Sequence, residues 1–249
     1  MARQNGILKI EGTIQDLTFY KTKDGHLVKT KSSISKERIA NDPAFVRTRE
    51  NGSEFGSSAT SGKLTRDALR IIAMSASDNR IVSRLTQLMT KIKNMDMISA
   101  RGLRNVDEGI NTVSGKALLK GFEFNKNALL GSILFKPYSL NTATGEITIN
   151  GLVPVNDIVW PQGATHISLT GAFANIDYAA GTSEIELSNV QNMLIDGVSA
   201  NISLLPTAVP VGVGIKVFLL KIEFFQMVNA VQYSLKNGAY NALRVIDVV

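Results

Sequence analysis

Residues 215–225 read IKVFLLKIEFF, and the fold turns on this run. Successive side chains of a β-strand point to opposite faces, so Ile215, Val217 and Leu219 share one face, and Phe218, Leu220, Ile222 and Phe224 the other. A strand apolar on both parities belongs in the middle of a sheet covered on both sides. Lys216, Lys221 and Glu223, with Pro210, Gly212 and Gly214 just upstream, leave the apolar run too short and too charged to span a bilayer as a helix.

Working outward, further strand patterns run Phe122 to Lys136 with a turn at residues 125–127, Glu146 to Asn150, His166 to Asp177 and Ser183 to Leu187. Others run Val198 to Leu204, Gly214 to Val228, Val231 to Leu235 and Ala239 to Val248. Short strands so regularly punctuated predict an antiparallel sandwich. Within them, Lys236-Asn237-Gly238 reads as a hairpin turn, because Asn-Gly supplies the positive φ angles of a two-residue connection.

The first hundred residues read differently. Residues 7–31 carry strand signals: Leu8, Ile10 and Ile14 hold one parity, Leu17 and Phe19 the other, which predicts a turn or bulge near Asp16, and residues 23–25 predict a second turn. Such a terminal ribbon cannot bury both its faces alone, so it must pack on its own chain or on a neighbour. Asp42-Pro43 then marks the start of a helix running towards Met74, with a small-residue stretch from Gly52 to Gly62 that suits close backbone approach and equally a break near Gly62. A second helix begins at Ser77 or Asp78, with Ile81, Leu85, Leu88, Ile92 and Met95 forming its apolar stripe. The expected organisation is α+β: residues 1–105 a β ribbon plus a basic helical region, and residues 106–249 an antiparallel β-sandwich domain.

The charge divides along the same line. Residues 1–105 hold 19 Lys and Arg against 10 Asp and Glu, a balance of +9, whereas 106–249 hold 8 against 11, a balance of −3. Opposite signs suit head-to-tail contacts between copies, and the basic part also suits an acidic partner. Arg66, Arg70, Arg80, Arg84, Lys91 and Lys93 are the candidate basic surface, with the pairs 66/70 and 80/84 spaced to share a helix face. Glu50, Glu54, Asp67 and Asp78 interrupt it, and no aromatic platform or recognition motif accompanies it.

Catalytic signals are thin. The chain has no cysteine, which removes disulfides, thiolate ligands and cysteine nucleophiles. Its two histidines, His26 and His166, read as ordinary strand residues. The stretch from Gly56 to Leu64 fails as a phosphate loop, since its glycines are one residue too far apart and Leu64 stands where Ser or Thr should ligate magnesium. Gly212-Val213-Gly214 lacks the third glycine of a dinucleotide fingerprint, and neither Glu184 with Glu186 nor Asp107 with Glu108 forms a convergent pair. Asn201-Ile202-Ser203 is a glycosylation sequon that matters only in a secreted chain. No secretory signal is read at the start of the sequence, so the expected compartment is the cytoplasm, with release by lysis or a dedicated machine as the other route.

The stretches GILKIEGTIQDLTFYKTKDGHLVKT, NDPAFVRTRENGSEFGSSATSGKLTRDALR, SRLTQLM and SARGLRN, with the closing KNGAYNAL, resemble an uncharacterised family of hypothetical proteins from Bacteroidota genomes. The resemblance covers about the first 105 residues and the closing segment; it implies a shared architecture and carries over no functional residue.

The sequence therefore predicts a non-enzymatic structural protein that assembles with copies of itself into a homo-oligomer or filament, with no cofactor, no membrane segment and no small-molecule substrate evident. Leu8, Ile10, Ile14, Leu17 and Phe19 are its candidate assembly interface. The alternative is a nucleic-acid-associated protein that binds phosphate backbones through the basic helices.

Overall fold

The computed structural model describes residues 2–31 and 34–249. By internal contacts the chain forms two units, residues 1–50 and 51–249. The junction expected at 105/106 lies inside the second unit, where one hydrophobic core gathers residues from Leu69 to Val248.

The first unit is a four-stranded antiparallel sheet followed by a helical turn. Strands β1 (Ala2–Arg3), β2 (Gly12–Ile14), β3 (Leu17–Thr22) and β4 (Gly25–Thr30) lie in the order β1-β4-β3-β2. The expected turn near Asp16 is the two-residue connection from Ile14 to Leu17, with Gln15 at φ 51°. Leu8 and Ile10, expected on a strand, lie in the loop before β2. Helix α1 (Lys36–Asn41) is capped by Ser35, whose hydroxyl accepts from Arg38 N. Asp42 then caps the 3-10 turn Pro43–Phe45, its carboxylate accepting from Ala44 N at 2.9 Å.

Helix α2 (Val46–Ala68) runs unbroken through Gly62. A glycine there costs the helix about 1 kcal/mol, and a Cβ in its place would meet the Thr86 backbone at 3.6 Å, an ordinary contact, so the packing of α2 on α4 does not itself require glycine. The helices that follow are α3 (Arg70–Ala73), α4 (Ile81–Lys93), α5 (Val106–Ile110), α6 (Val113–Leu119) and α7 (Leu130–Ile133). The predicted stripe on α4 is buried at Leu85, Leu88 and Ile92, with Met89 added, while Met95 lies beyond the helix end. Arg80, not Ser77 or Asp78, occupies the N-cap position, although the Asp78 carboxylate accepts from Arg80 N at 2.7 Å.

Strands β5 (Ser139–Leu140) and β6 (Ile147–Leu152), helix α8 (Pro154–Asp157), and strands β7 (His166–Asp177), β8 (Thr182–Leu194), β9 (Ala200–Leu204), β10 (Ile215–Val228), β11 (Val231–Ser234) and β12 (Ala242–Val248) complete the chain. The larger sheet runs β11-β10-β7-β8, with β12 also paired to β10; the smaller is β5-β6-β9. The run at 215–225 sits centrally, as its two apolar parities require. Ile215, Val217 and Leu219 join α3, α4, α5 and α6 in one core, while Phe218, Leu220, Ile222 and Phe224 join the small sheet and α7 in another. The second unit is therefore α+β in three layers: helices, a five-stranded antiparallel sheet, and a three-stranded sheet facing it sandwich-fashion.

Two expectations are corrected. Residues 122–136 form no strand pair: apart from single bridges at Glu123 and Leu134, they make turns and α7, and Leu130 and Ile133 enter the core from a helical turn. Lys236-Asn237-Gly238 does adopt positive φ throughout, at 45°, 53° and 78°, but closes no hairpin. Both β11 and β12 pair with β10 rather than with each other, so this segment is a connection along the sheet, and the hairpin turn is Asn229-Ala230.

Candidate assembly surface and the basic helical region

The register of the N-terminal sheet sorts its side chains. Ile14 pairs with Leu17, and Phe19 with both Gly12 and Val28, while Ala2 pairs with Val28. Directly opposed residues share a face, so Ala2, Ile14, Leu17, Phe19 and Val28 form one apolar face, joined at its margin by Lys21, His26 and Thr30. The opposite face is mainly polar, although Leu27 lies on it opposite Tyr20 and Arg3; the Thr13 and Thr18 hydroxyls are 3.3 Å apart there and the Lys29 ammonium lies over the Tyr20 ring at 5.5 Å.

Among the described residues of 2–50, none is buried. Ile14 is 53% exposed, Leu17 44% and Leu8 84%, while Phe19 and Val28 are half-buried. Three of the five candidate interface residues (Ile14, Leu17, Phe19) thus lie together on one face. Leu8 and Ile10 lie in the preceding loop with Ile7, whose side chain is fully exposed. Val28 belongs to this face and was missed in the sequence because its neighbours in strand order, Leu27 and Lys29, obscured the alternation.

The basic region is less of a surface than its sequence suggests. The buried face of α2 is Glu54, Ser58, Gly62 and Thr65, spaced by four, four and three residues. Glu54 accepts from Gly102 N at 2.8 Å, from Arg104 at 3.0 and 3.2 Å, and from the Lys93 ammonium. Burial by itself would raise this carboxyl, but the bonds from Lys93, Arg104 and Gly102 prevail and hold it at about 2. Asp96 is similar: against the effect of burial, bonds from Ser99, Ile98 and Asn105 hold it at about 2. The loop carrying Arg101 to Asn105 is thereby tied to α2 and α4.

Lys93 is therefore spent inside the fold, and Arg84 is too. Asp78 is buried and receives Arg84, Lys126 N at 3.0 Å and Arg80 N; these bonds outweigh desolvation and keep its carboxyl below the usual range. The Arg84 guanidinium also donates to the Phe124 carbonyl and lies over the Phe122 ring at 5.0 Å. Arg80 has its own interactions, and Arg66 stands 3.6 Å from Asp67. Of the six candidate cations, Arg70 and Lys91 remain exposed, and their side chains make no hydrogen bond or ion pair among the described residues. The 66/70 pair lines one pocket together; the 80/84 pair does not share an outward face, because Arg84 turns in.

The remaining chemical candidates have structural surroundings. Gly56 to Leu64 lies wholly inside α2. The His166 ring meets the Thr165 hydroxyl at 2.9 Å on β7, and the His26 ring lies 3.9 Å from Glu11. Glu184 accepts from Val211 N and Glu186 from the Thr207 hydroxyl. Asp107 is pushed up, first by burial and then by the charge of Asp177. Asn201 accepts from Gly151 N at 2.8 Å, and Asn175 pins Gly212 and Gly214. The Tyr178 hydroxyl is pushed up to about 12 by burial, partly offset by its 2.8 Å bond to Thr65. No described residues form a group of three or more His, Asp and Glu able to hold a metal ion, and no described helix is long and apolar enough to cross a membrane.

No family model matches this chain, and neither a curated protein nor a solved structure does so.

Proposed function

We propose that the protein is a structural building block that assembles with copies of itself, into a homo-oligomer or a filament, through the apolar face of its N-terminal sheet. The observation that carries this reading is the pairing of an amphipathic four-stranded sheet with the lack of any buried residue among those described between 2 and 50. Fully covering an Ile, Leu, Val or Phe side chain is worth about 1.5–3 kcal/mol, so a row of four left exposed at Ile14 and Leu17 and half-buried at Phe19 and Val28 gives a reason to associate. The edges of the sheet add to it: β1 and β2 each have one neighbour only, and an unpaired edge offers backbone donors and acceptors to another strand.

The reading as a phosphate-backbone binder has less support, since Arg84 and Lys93 are engaged by buried carboxylates. Removing residues 1–31 tests the preferred reading. The expected product keeps the thermal transition of residues 51–249 and has the mass of a single chain by light scattering, where the intact protein has that of an assembly. An unchanged oligomer size in the shortened chain would exclude the N-terminal sheet as the connector.

A further inference from the structure

We propose that the second unit carries a binding pocket for a small organic anion: a carboxylate or sulfonate on a flat or branched apolar body. The pocket, of about 330 Å³, opens between the end of α2, α3 and the start of α4, and is lined by Arg66, Arg70, Ala73, Ser77, Ile81 and Phe124, with Met74 and Asp67 at its rim. A volume of this order is at the lower end of those that hold small ligands.

Its chemistry is two-sided. Ala73 and Phe124 are buried and Ile81 is largely so, which makes an apolar floor. Arg66 and Arg70 stand four residues apart, and like charges at this spacing on a helical path repel. A cation in the last turn of α2 is favoured by the helix dipole, which accounts for Arg66. Arg70, in the last turn of α3, also stands at a helix end, but its side chain is exposed and makes no hydrogen bond or ion pair among the described residues. Asp67 offsets one of the two charges at 3.6 Å from Arg66, so the rim keeps a single net positive charge and suits a monoanion. The planar guanidinium groups can each donate two bonds to a carboxylate or sulfonate, while the apolar body of the ligand covers Phe124 and Ile81. This site is independent of the assembly surface, which uses other residues.

The test is calorimetric titration of the full-length protein with naphthalene-2-sulfonate, with 2-naphthol as the uncharged analogue of similar shape. One sulfonate should bind per chain, and 2-naphthol about tenfold more weakly, since it forgoes the charge-assisted hydrogen bonds to the guanidinium groups. Arg66→Gln with Arg70→Gln, both at the surface, should lower the sulfonate affinity at least as much. Lys91→Gln on α4, which is outside this pocket, should leave it unchanged. Equal affinity for the two probes, equal loss in the Lys91 variant, an unaffected double variant, or no saturable binding would each overturn the proposal.

Discussion

The two antiparallel sheets that begin and end this chain differ in what they do with their apolar residues. The five-stranded sheet buries both faces: Phe173 and Phe218 meet at 4.5 Å between ring centroids on one side, and Ala174, Val217 and Leu219 sit under helices on the other. The N-terminal sheet has one apolar face and buries none of it among the described residues. The central strand β10 is apolar on both parities, whereas the N-terminal strands gather Ile14, Leu17, Phe19 and Val28 on a single face. The two sheets differ further in whether the same unit supplies a cover. A sheet with its own cover is a core, and a sheet without one is an offer to a neighbour.

The contrast predicts where stability resides. The largest effect should come from the covered sheet: Phe218→Ala removes a fully buried ring and should cost about 4 kcal/mol, read as a fall in the denaturant midpoint. A loss under about 1 kcal/mol there would break the comparison, because the middle sheet would then not be the stabilising element.

Next comes the ion cluster beneath the basic helices. Glu54→Gln leaves Lys93 buried with a weaker partner and should cost roughly 3 kcal/mol at neutral pH. Glu54 and Asp96 are held at about 2 in the fold. Their ordinary values are about 4, so their contribution is complete above that value and drains away as the pH falls towards 2. The acid limb of the stability curve should therefore flatten in the Glu54→Gln protein. An acid limb identical in both proteins would mean that Glu54 is not among the groups that drive acid unfolding.

What could be read from sequence follows the same division. The central strand was legible because apolar residues on both parities have only one comfortable place, and Ile215 to Phe224 took it. The N-terminal sheet was legible in its turns, at Gln15-Asp16 and at Lys23-Asp24, and in three of the residues on its apolar face. Glu54 was not legible. Its partners Lys93, Gly102 and Arg104 are 39 to 50 residues away, and the buried face of α2 is made of Glu, Ser, Gly and Thr, which leave no apolar periodicity to find. For the same reason the basic residues looked more available than they are. Lys236-Asn237-Gly238 taught a narrower lesson: its residues do dictate positive φ, but pairing partners decide whether such a turn closes a hairpin. Here the positive φ lets Gly238 pack where a Cβ would come within 2.3 Å of the Ser75 carbonyl.

The smallest effect on stability should accompany the largest on assembly. Leu17→Ser with Phe19→Ser alters only residues that are not buried, so the unfolding midpoint of residues 51–249 should move by no more than about 0.5 kcal/mol. The most direct measurement is the mass of the intact protein and of this double variant by multi-angle light scattering at matched concentrations. The account predicts a multiple of the single-chain mass for the intact protein and the single-chain mass for the variant. An intact protein that is a monomer, or a variant that assembles as the intact protein does, would contradict it.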